Sequence, residues 1–500
     1  MSLAVILVPF FGALFTIIAR QKPLQIAWAT VTAIVTLILS SFLSRSSGIS
    51  TLWIPGFGSY FELNPQGAAS ILVLIASVVM VPTVMWAGAK VTERTGGFLF
   101  LLLLMQAGLN GLFQAKDLVV FYIFWEATLI PSIFMLGMWG GPQRRAAATK
   151  YLVYAVAGSF VMLVSILAIK PLSGAVSYRF ADLIAATPTL PLSTQLWLFV
   201  GFALAFAVKL PMFPLHSWLI DFHEQNHPSG AADVAGTLYK VGGFGFFAWA
   251  LPLLPDAARA AAPVMMFLCA FTAVYAAWLA TSQTHLKRMM AYASLSHMGI
   301  IGVGIFGLHI SGLNGAMFLL AAQMLSTGGL FLITGMLYER RKTFDIDAYG
   351  GLAKSAPALA ALTLFILFTS IGVPGLANFP GEFMSLMGAF QTQPVIAIFA
   401  TLSVIAAGVY GVNLYQRLYQ GEEREATTDA DEGEWAVLLP LLIGIVWLGI
   451  APNNALKQID IQGQLAVPTA SIASVDKGLK PLVEASVTST TNVAQIGEGQ

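Results

Sequence analysis

Long apolar runs separated by short polar connections follow one another along almost the whole chain. Each run is about 20 residues long, the length an α-helix needs to cross the hydrocarbon core of a bilayer. The pattern predicts spans near 2–19, 25–44, 68–88, 97–115, 118–139, 150–171, 194–219, 230–252, 262–282, 289–308, 313–338, 357–390, 394–416 and 434–452, fourteen in all. The expected class is an all-α polytopic membrane protein. The first run follows Met1 directly, lacks a basic leader and shows no clear cleavage site, so it is expected to be retained. Beyond Ala451 the chain turns polar, and 453–500 is expected to be an extramembrane extension, disordered or lying along a partner.

Composition agrees with this reading. The chain is 57% hydrophobic and 10% charged, with mean hydropathy +0.78, whereas a soluble domain carries roughly 25% charged residues. A net charge of +1 leaves no nucleic-acid footprint. The single cysteine, Cys269, excludes an intrachain disulfide and an iron–sulfur cluster held by four thiolates of this chain. It reads as a small apolar residue within a helix.

Basic residues set the orientation. Connections after odd-numbered spans hold Arg20, Lys22, Lys90, Arg94, Arg144, Arg145, Lys150, Lys287, Arg288, Arg340, Arg341, Lys342, Lys354, Arg417 and Arg424. The opposite connections hold only Arg45, Lys116, Lys170, Arg179 and Arg259. The positive-inside rule places the odd connections in the cytoplasm and both termini on the other face.

Two lysines fall inside spans: Lys209 in "FAVKLPMFP" and Lys240 in "AGTLYKVGGFG". A charge at mid-membrane costs at least about 2.5–3.5 kcal/mol and is rarely kept without a function. Glu126 and Glu382 add carboxylates within spans, and His216 and His297 add groups that titrate near neutral pH. A static Glu126–Lys209 ion pair that fixes packing is one reading. The spread of these groups over separate helices favours an ion path instead. Two of the spans are also interrupted, by Pro211 and Pro214 after Lys209, and by Pro374, Gly375, Pro380 and Gly381 before Glu382. Interrupted helices in corresponding places point to an inverted-repeat transporter. Helices 4–8 (97–252) and 9–13 (262–416) would be the repeats, broken at helices 7 and 12. Residues 1–96 would supply three preceding helices, and 417–452 a cytoplasmic loop and helix 14.

Five stretches are more specific: "FYIFWEATLIP", "VKLPMFPLHSWLIDFH", "LKRMMAYASLSHMGI", "LFLITGMLYERRKTFDIDAYGGL" and "PGLANFPGEFM". From about Ala68 to Ala451 the chain resembles the antiporter-like membrane subunits of respiratory complex I, the subunit M or chain 4 branch, and their relative, the D-type subunit of Mrp sodium/proton antiporters. The resemblance implies that Glu126, Lys209, Lys240 and Glu382 form a mid-membrane chain along which protons move, with His297 and His216 beside it. It implies a proton-pumping subunit of an NAD(P)H or ferredoxin:quinone oxidoreductase that carries out no redox chemistry itself. Cofactors are expected only in partners, as iron–sulfur clusters and quinone; the partners are the other membrane-arm and hydrophilic-arm subunits and lipids.

Two motifs are treated as accidental matches. His223-Glu224-Gln225-Asn226-His227 fits H-E-x-x-H, the zinc-protease pattern. The family's connection between helices 7 and 8 aligns with it, and Pro228 disfavours helix at His227, so an irregular cytoplasmic loop without metal is expected. "GVGIFG", Gly302 to Gly307, fits G-x-G-x-x-G but lies inside a span and follows no strand. Close helix packing explains it better.

Departures from the family pattern also carry information. Ile220 replaces a proline, and Gln323 stands where most members carry a histidine that relays protons. Glutamine holds water but takes up no proton near neutral pH. These departures are similar to the specialised chain 4 variants of cyanobacteria, which would imply a thylakoid setting, plastoquinone and a carbon dioxide-hydration module as partner. The expected mechanism pairs Lys209 with Glu126. Weakening that contact passes a proton to Lys240, then through His297 and water to Glu382. An Mrp-type cation/proton antiporter subunit and a structural bundle without transport are the alternatives.

Overall fold

In the computed structural model residues 1–238 and 241–466 are described, and they form a helical bundle with one small β-hairpin. The chain opens with α1 (Ala4–Ile18) and α2 (Lys22–Ser41), then the antiparallel strands β1 (Ile49–Ile54) and β2 (Ser59–Leu63). It continues through α3 (Ala68–Lys90), α4 (Thr95–Gln114), α5 (Leu118–Trp139), α6 (Arg144–Ser173), the short α7 (Phe180–Ala186) and α8 (Leu192–Lys209). After α9 (Ser217–Gln225) and α10 (Ala231–Leu238) come α11 (Val241–Gly245), a π-helical turn over Phe246–Ala250 and α12 (Leu251–Leu253). Three long helices follow: α13 (Pro255–Thr281), α14 (Leu286–Phe306) and α15 (Ile310–Arg341). The last elements are α16 (Pro357–Ser370), α17 (Asn378–Thr392), α18 (Pro394–Tyr419), α19 (Glu432–Ile450) and α20 (Asn453–Ala466).

Among the described residues eleven helices are long and apolar enough to cross a membrane, against fourteen expected spans. The difference has local causes. Helix α1 has only 15 residues. The expected span 357–390 is divided into α16 and α17, and 230–252 is described in short pieces from α10 to α12. Inside α1, Pro9 cannot donate to the carbonyl of Val5. The Asn110 amide of α4 donates to that oxygen instead, at 2.7 Å, which ties α1 to α4.

The β-hairpin was not legible in the hydropathy pattern. It is pinned by Asp117, the N-cap of α5, whose carboxylate accepts from Val119 and Val120 within α5 and from Ser59 and Tyr60 in the hairpin. The expected extension also begins differently. Its first part is α20, with Ala455 and Ile459 buried and Gln458 accepting a 2.6 Å hydrogen bond from Ser70 of α3. The remainder, 467–500, lies outside the described residues.

At the end of the bundle that carries most basic residues, a folded connection joins α18 to α19. Arg340 of α15 forms a two-pronged pair with Glu434, both contacts 2.7 Å, and also donates to the carbonyls of Thr428 and Asp429. The Asp429 carboxylate accepts from the Ala358 and Leu359 amides at the start of α16, where helix N–H groups favour an anion. Helices α14 and α15 are almost wholly buried, whereas α2, α6 and α18 expose broad apolar faces.

Candidate functional site

The first break follows from two prolines. Pro211 has no N–H, so the Ala207 carbonyl loses its ordinary helical donor. Met212 donates to it instead, at 2.9 Å, one residue beyond α-helical spacing. That shift frees the carbonyl of Val208, which accepts from the Trp218 indole N–H at 3.1 Å. The amide of Phe213 donates to the Thr272 hydroxyl of α13 at 2.9 Å. These bonds satisfy backbone groups that burial would otherwise leave costly, and they stop α8 at Lys209.

Lys209 therefore ends a helix inside the bundle, 3% exposed, with its ammonium 5.2 Å from the ring centre of Trp125 on α5. That is cation–π range. Glu126 follows Trp125 in sequence and is half-buried, with Oε1 enclosed and without a hydrogen-bond partner. No ion pair among the described residues joins Glu126 to Lys209. Consecutive side chains on a helix diverge by about 100°, so turning Trp125 toward Lys209 swings Glu126 away. The expected direct pairing is thus replaced by an aromatic contact. His216, just before α9, is buried between Phe213 (ring centres 5.7 Å) and Tyr275 (5.6 Å), and its Nδ1 has no hydrogen-bond partner. Lys240 lies outside the described residues.

The second break uses the same device. Pro374 cannot donate to the Ser370 carbonyl, and the Asn378 amide reaches that oxygen at 3.4 Å. Ser326 of α15 holds Asn378 from the other side at 3.2 Å. Gly372 has φ +77°, and the place a Cβ would take is filled by the Glu382 carboxylate. Glu382, 5% exposed in α17, lies 3.0 Å from His297 Nδ1 of α14. The two are close but out of line for a hydrogen bond. On its other side, His297 Nε2 is 3.4 Å from the Tyr410 hydroxyl of α18. Gln323 is fully buried on α15; its Oε1 accepts from Thr327 at 2.6 Å and its Nε2 has no partner. The structure thus brings His297 and Glu382 together and keeps Glu126 apart from Lys209.

The His223–His227 segment is not the irregular loop expected. Helix α9 runs to Gln225, so His223, Glu224 and Gln225 are helical, and the turn begins at Asn226. The side-chain oxygen and carbonyl of Gln225 accept from the amides of Gln143 and Gly141, and these bonds hold the helix end to the α5–α6 connection. His223 Nδ1 meets Asp233 Oδ1 of α10 at 3.0 Å, and the Asn226 amide donates to the same oxygen at 3.1 Å. Lys287 of α14 lies 2.7 Å from Asp233 Oδ2. Glu224 pairs with Arg288 at 2.6 Å, and His227 bonds to Ser229. The two imidazoles are therefore committed to different neighbours.

A family model described as NADH:quinone oxidoreductase/Mrp antiporter, TM, matches residues 115–407. NADH-quinone oxidoreductase subunit 13 of Thermus thermophilus is 41% identical over 90% of this chain and 95% of its own length. The chain belongs to the NADH:quinone oxidoreductase/Mrp antiporter family of transmembrane proteins. Subunit M from Escherichia coli K12 is 34% identical over 90% of the chain and 94% of its own. A solved chain of respiratory complex I from Thermus thermophilus with bound NADH superposes with a TM-score of 0.88, at 37% identity. It covers 93% of this chain and all of that one. The matched segment contains both breaks and every site residue named above except Tyr410.

Sequence reasoning missed Asp233 and misplaced Lys287. Lys287 was placed in a connection between spans, yet it stands in the first turn of α14 and both side chains are fully buried. The signal for Asp233 was present, because a carboxylate inside the apolar stretch "SGAADVAGTLY" is subject to the same membrane cost as Glu126.

Proposed function

We propose that the chain moves protons through the buried groups at its two helix breaks. It is the proton-translocating, antiporter-like subunit M of a complex I membrane arm, within an NADH-quinone oxidoreductase whose redox chemistry belongs to other subunits. Its sequence relatives named above carry NADH-quinone oxidoreductase names, which favours this form over an Mrp antiporter. They lend nothing to the thylakoid, plastoquinone or carbon dioxide-uptake setting, which remains the weaker reading. Orientation follows the basic residues, with the Arg340 end in the cytoplasm and the N-terminus opposite. Residues 97–252 and 262–416 act as two repeats, each with its own break.

The carrying observation is the His297–Glu382 contact at 3.0 Å, buried at the second break. A carboxylate and an imidazole at this distance hand a proton between them with only a small rotation of the ring. At the first break, the Lys209 ammonium rests against Trp125 rather than Glu126, so Glu126 acts on it across a gap through the low-dielectric interior. A small change in that gap alters the affinity of Lys209 for its proton. The proton passes to Lys240, then by His297 to Glu382. A charge moved against 100 mV costs about 2.3 kcal/mol, supplied by electron transfer elsewhere.

Lys209→Met, nearly isosteric and uncharged, tests the reading in the purified complex reconstituted into vesicles. Assembly and NADH-dependent quinone reduction are expected to persist while proton pumping falls severalfold. Glu126→Gln is expected to act in the same direction and add little in combination, because residues working as a unit are non-additive. Normal pumping in both single variants would leave these groups with a packing role alone.

A further inference from the structure

The cluster around Asp233 has no part in the path just proposed, yet it joins the two halves of the molecule. An ionised carboxylate only accepts hydrogen bonds. His223 Nδ1, 3.0 Å from Asp233 Oδ1, must therefore carry the proton of the neutral ring, and any further proton adds at Nε2. Lys287 fixes the carboxylate from the other side. Its ammonium lies 2.7 Å from Asp233 Oδ2 and donates to the carbonyls of Asn226 and His227 at 2.9 and 3.0 Å. Phe331 of α15 stacks on the imidazole, with ring centres 4.5 Å apart. Asp233 is thus held by His223, Asn226 and Lys287 together.

We infer that Asp233 and Lys287 are positioning residues that hold His223, in one tautomer, as the proton-uptake group at the basic end of the first repeat. The inference rests on the proton-translocation reading above. With His223 neutral, the charges of Asp233 and Lys287 cancel. Uptake at Nε2 creates an imidazolium beside the carboxylate, and release from Nε2 restores the neutral ring; the Nδ1 proton stays in place throughout. His223 and Asp233 stand on α9 and α10, whereas Lys287 stands in the first turn of α14. Any displacement of α14 therefore changes the charge that His223 experiences, so loading in one repeat depends on the position of the other.

Among the described residues, the other charged groups near the cluster have partners of their own. Burial, with the charge of Lys287, holds His227 down at about 4, so it is neutral at neutral pH; Asp233 and then Glu339 of α15 oppose that shift. Arg288 pairs with Glu224 and Lys150 of α6 with Asp221, each at 2.6 Å.

The experiment uses the whole complex in vesicles and reads proton pumping and quinone reduction from about pH 5.5 to about 8.5. The double variant Asp233→Asn with Lys287→Met keeps the net charge and approximate volume. It is expected to assemble and reduce quinone, with its pumping profile displaced toward acid by about one pH unit or more, because the imidazolium has lost its counter-charge. His223→Asn keeps a donor for Asp233 but cannot titrate, and is expected to assemble and lose pumping at least about tenfold. A double-variant profile that superimposes on the wild type overturns the inference. So does wild-type pumping in His223→Asn, which decides the matter if the double variant fails to assemble. Lys209→Met, run alongside, reports on the translocation reading separately, since its result involves none of these three residues.

Discussion

Gln323 is a fully buried polar side chain on α15. Its Oε1 is taken by Thr327 while its Nε2 stays buried without a partner, so the position is polar but cannot change charge. Gln323→His introduces a titrating ring into that space. The expected outcome is an altered pH dependence of coupled turnover, measured as proton release per quinone reduced, and one that disappears when Glu382→Gln is added. Identical profiles for wild type and Gln323→His would place residue 323 off the path. The same scale shows why Glu126 and Lys209 were read as touching. Sequence reports that two opposite charges share the membrane interior, but the seating of Lys209 against the Trp125 ring is a property of packing. His297 and Glu382 were each named from the sequence, with water expected between them; the structure sets them 3.0 Å apart.

Among the elements, the two breaks share a construction. In each, a proline removes a backbone donor and a side chain beyond the break donates to a freed carbonyl, Trp218 to Val208 and Asn378 to Ser370. Trp218→Phe keeps the ring and deletes the N–H, leaving the Val208 carbonyl unsatisfied at a cost of about 1–3 kcal/mol. A lower thermal midpoint of the purified complex is the expected result, with quinone reduction retained at low temperature. An unchanged midpoint would mean that water or a shifted backbone serves that oxygen. Proline and glycine in the apolar runs made both breaks legible in advance. The helical end of His223–Gln225 was not, because Pro228 bears only on His227, while the end of α9 is secured by bonds from Gly141 and Gln143 of the α5–α6 connection. The β-hairpin escaped for a related reason: Asp117, distant in sequence, is what holds it.

For the whole molecule, the connection before α19 is fastened by a buried ion pair and hydrogen bonds to Arg340 and Asp429. Arg340→Met leaves Glu434 buried without its cation, and removing one partner of a buried pair costs about 3–5 kcal/mol. Loss of assembled complex on native gels is expected for the single variant, and recovery of most of it on adding Glu434→Leu. Failure of the double variant to recover would assign the defect to the backbone contacts of Arg340 at Thr428 and Asp429. The uneven burial of the long helices has a different consequence, for handling the protein outside its native bilayer. Helices α14 and α15, which carry His297 and Gln323, are sheathed by other helices, whereas α2, α6 and α18 form much of the outer surface. An amphiphile that replaces lipid during extraction therefore meets the outer helices first. It is expected to cover those faces while leaving the buried side chains of α14 and α15 out of its reach.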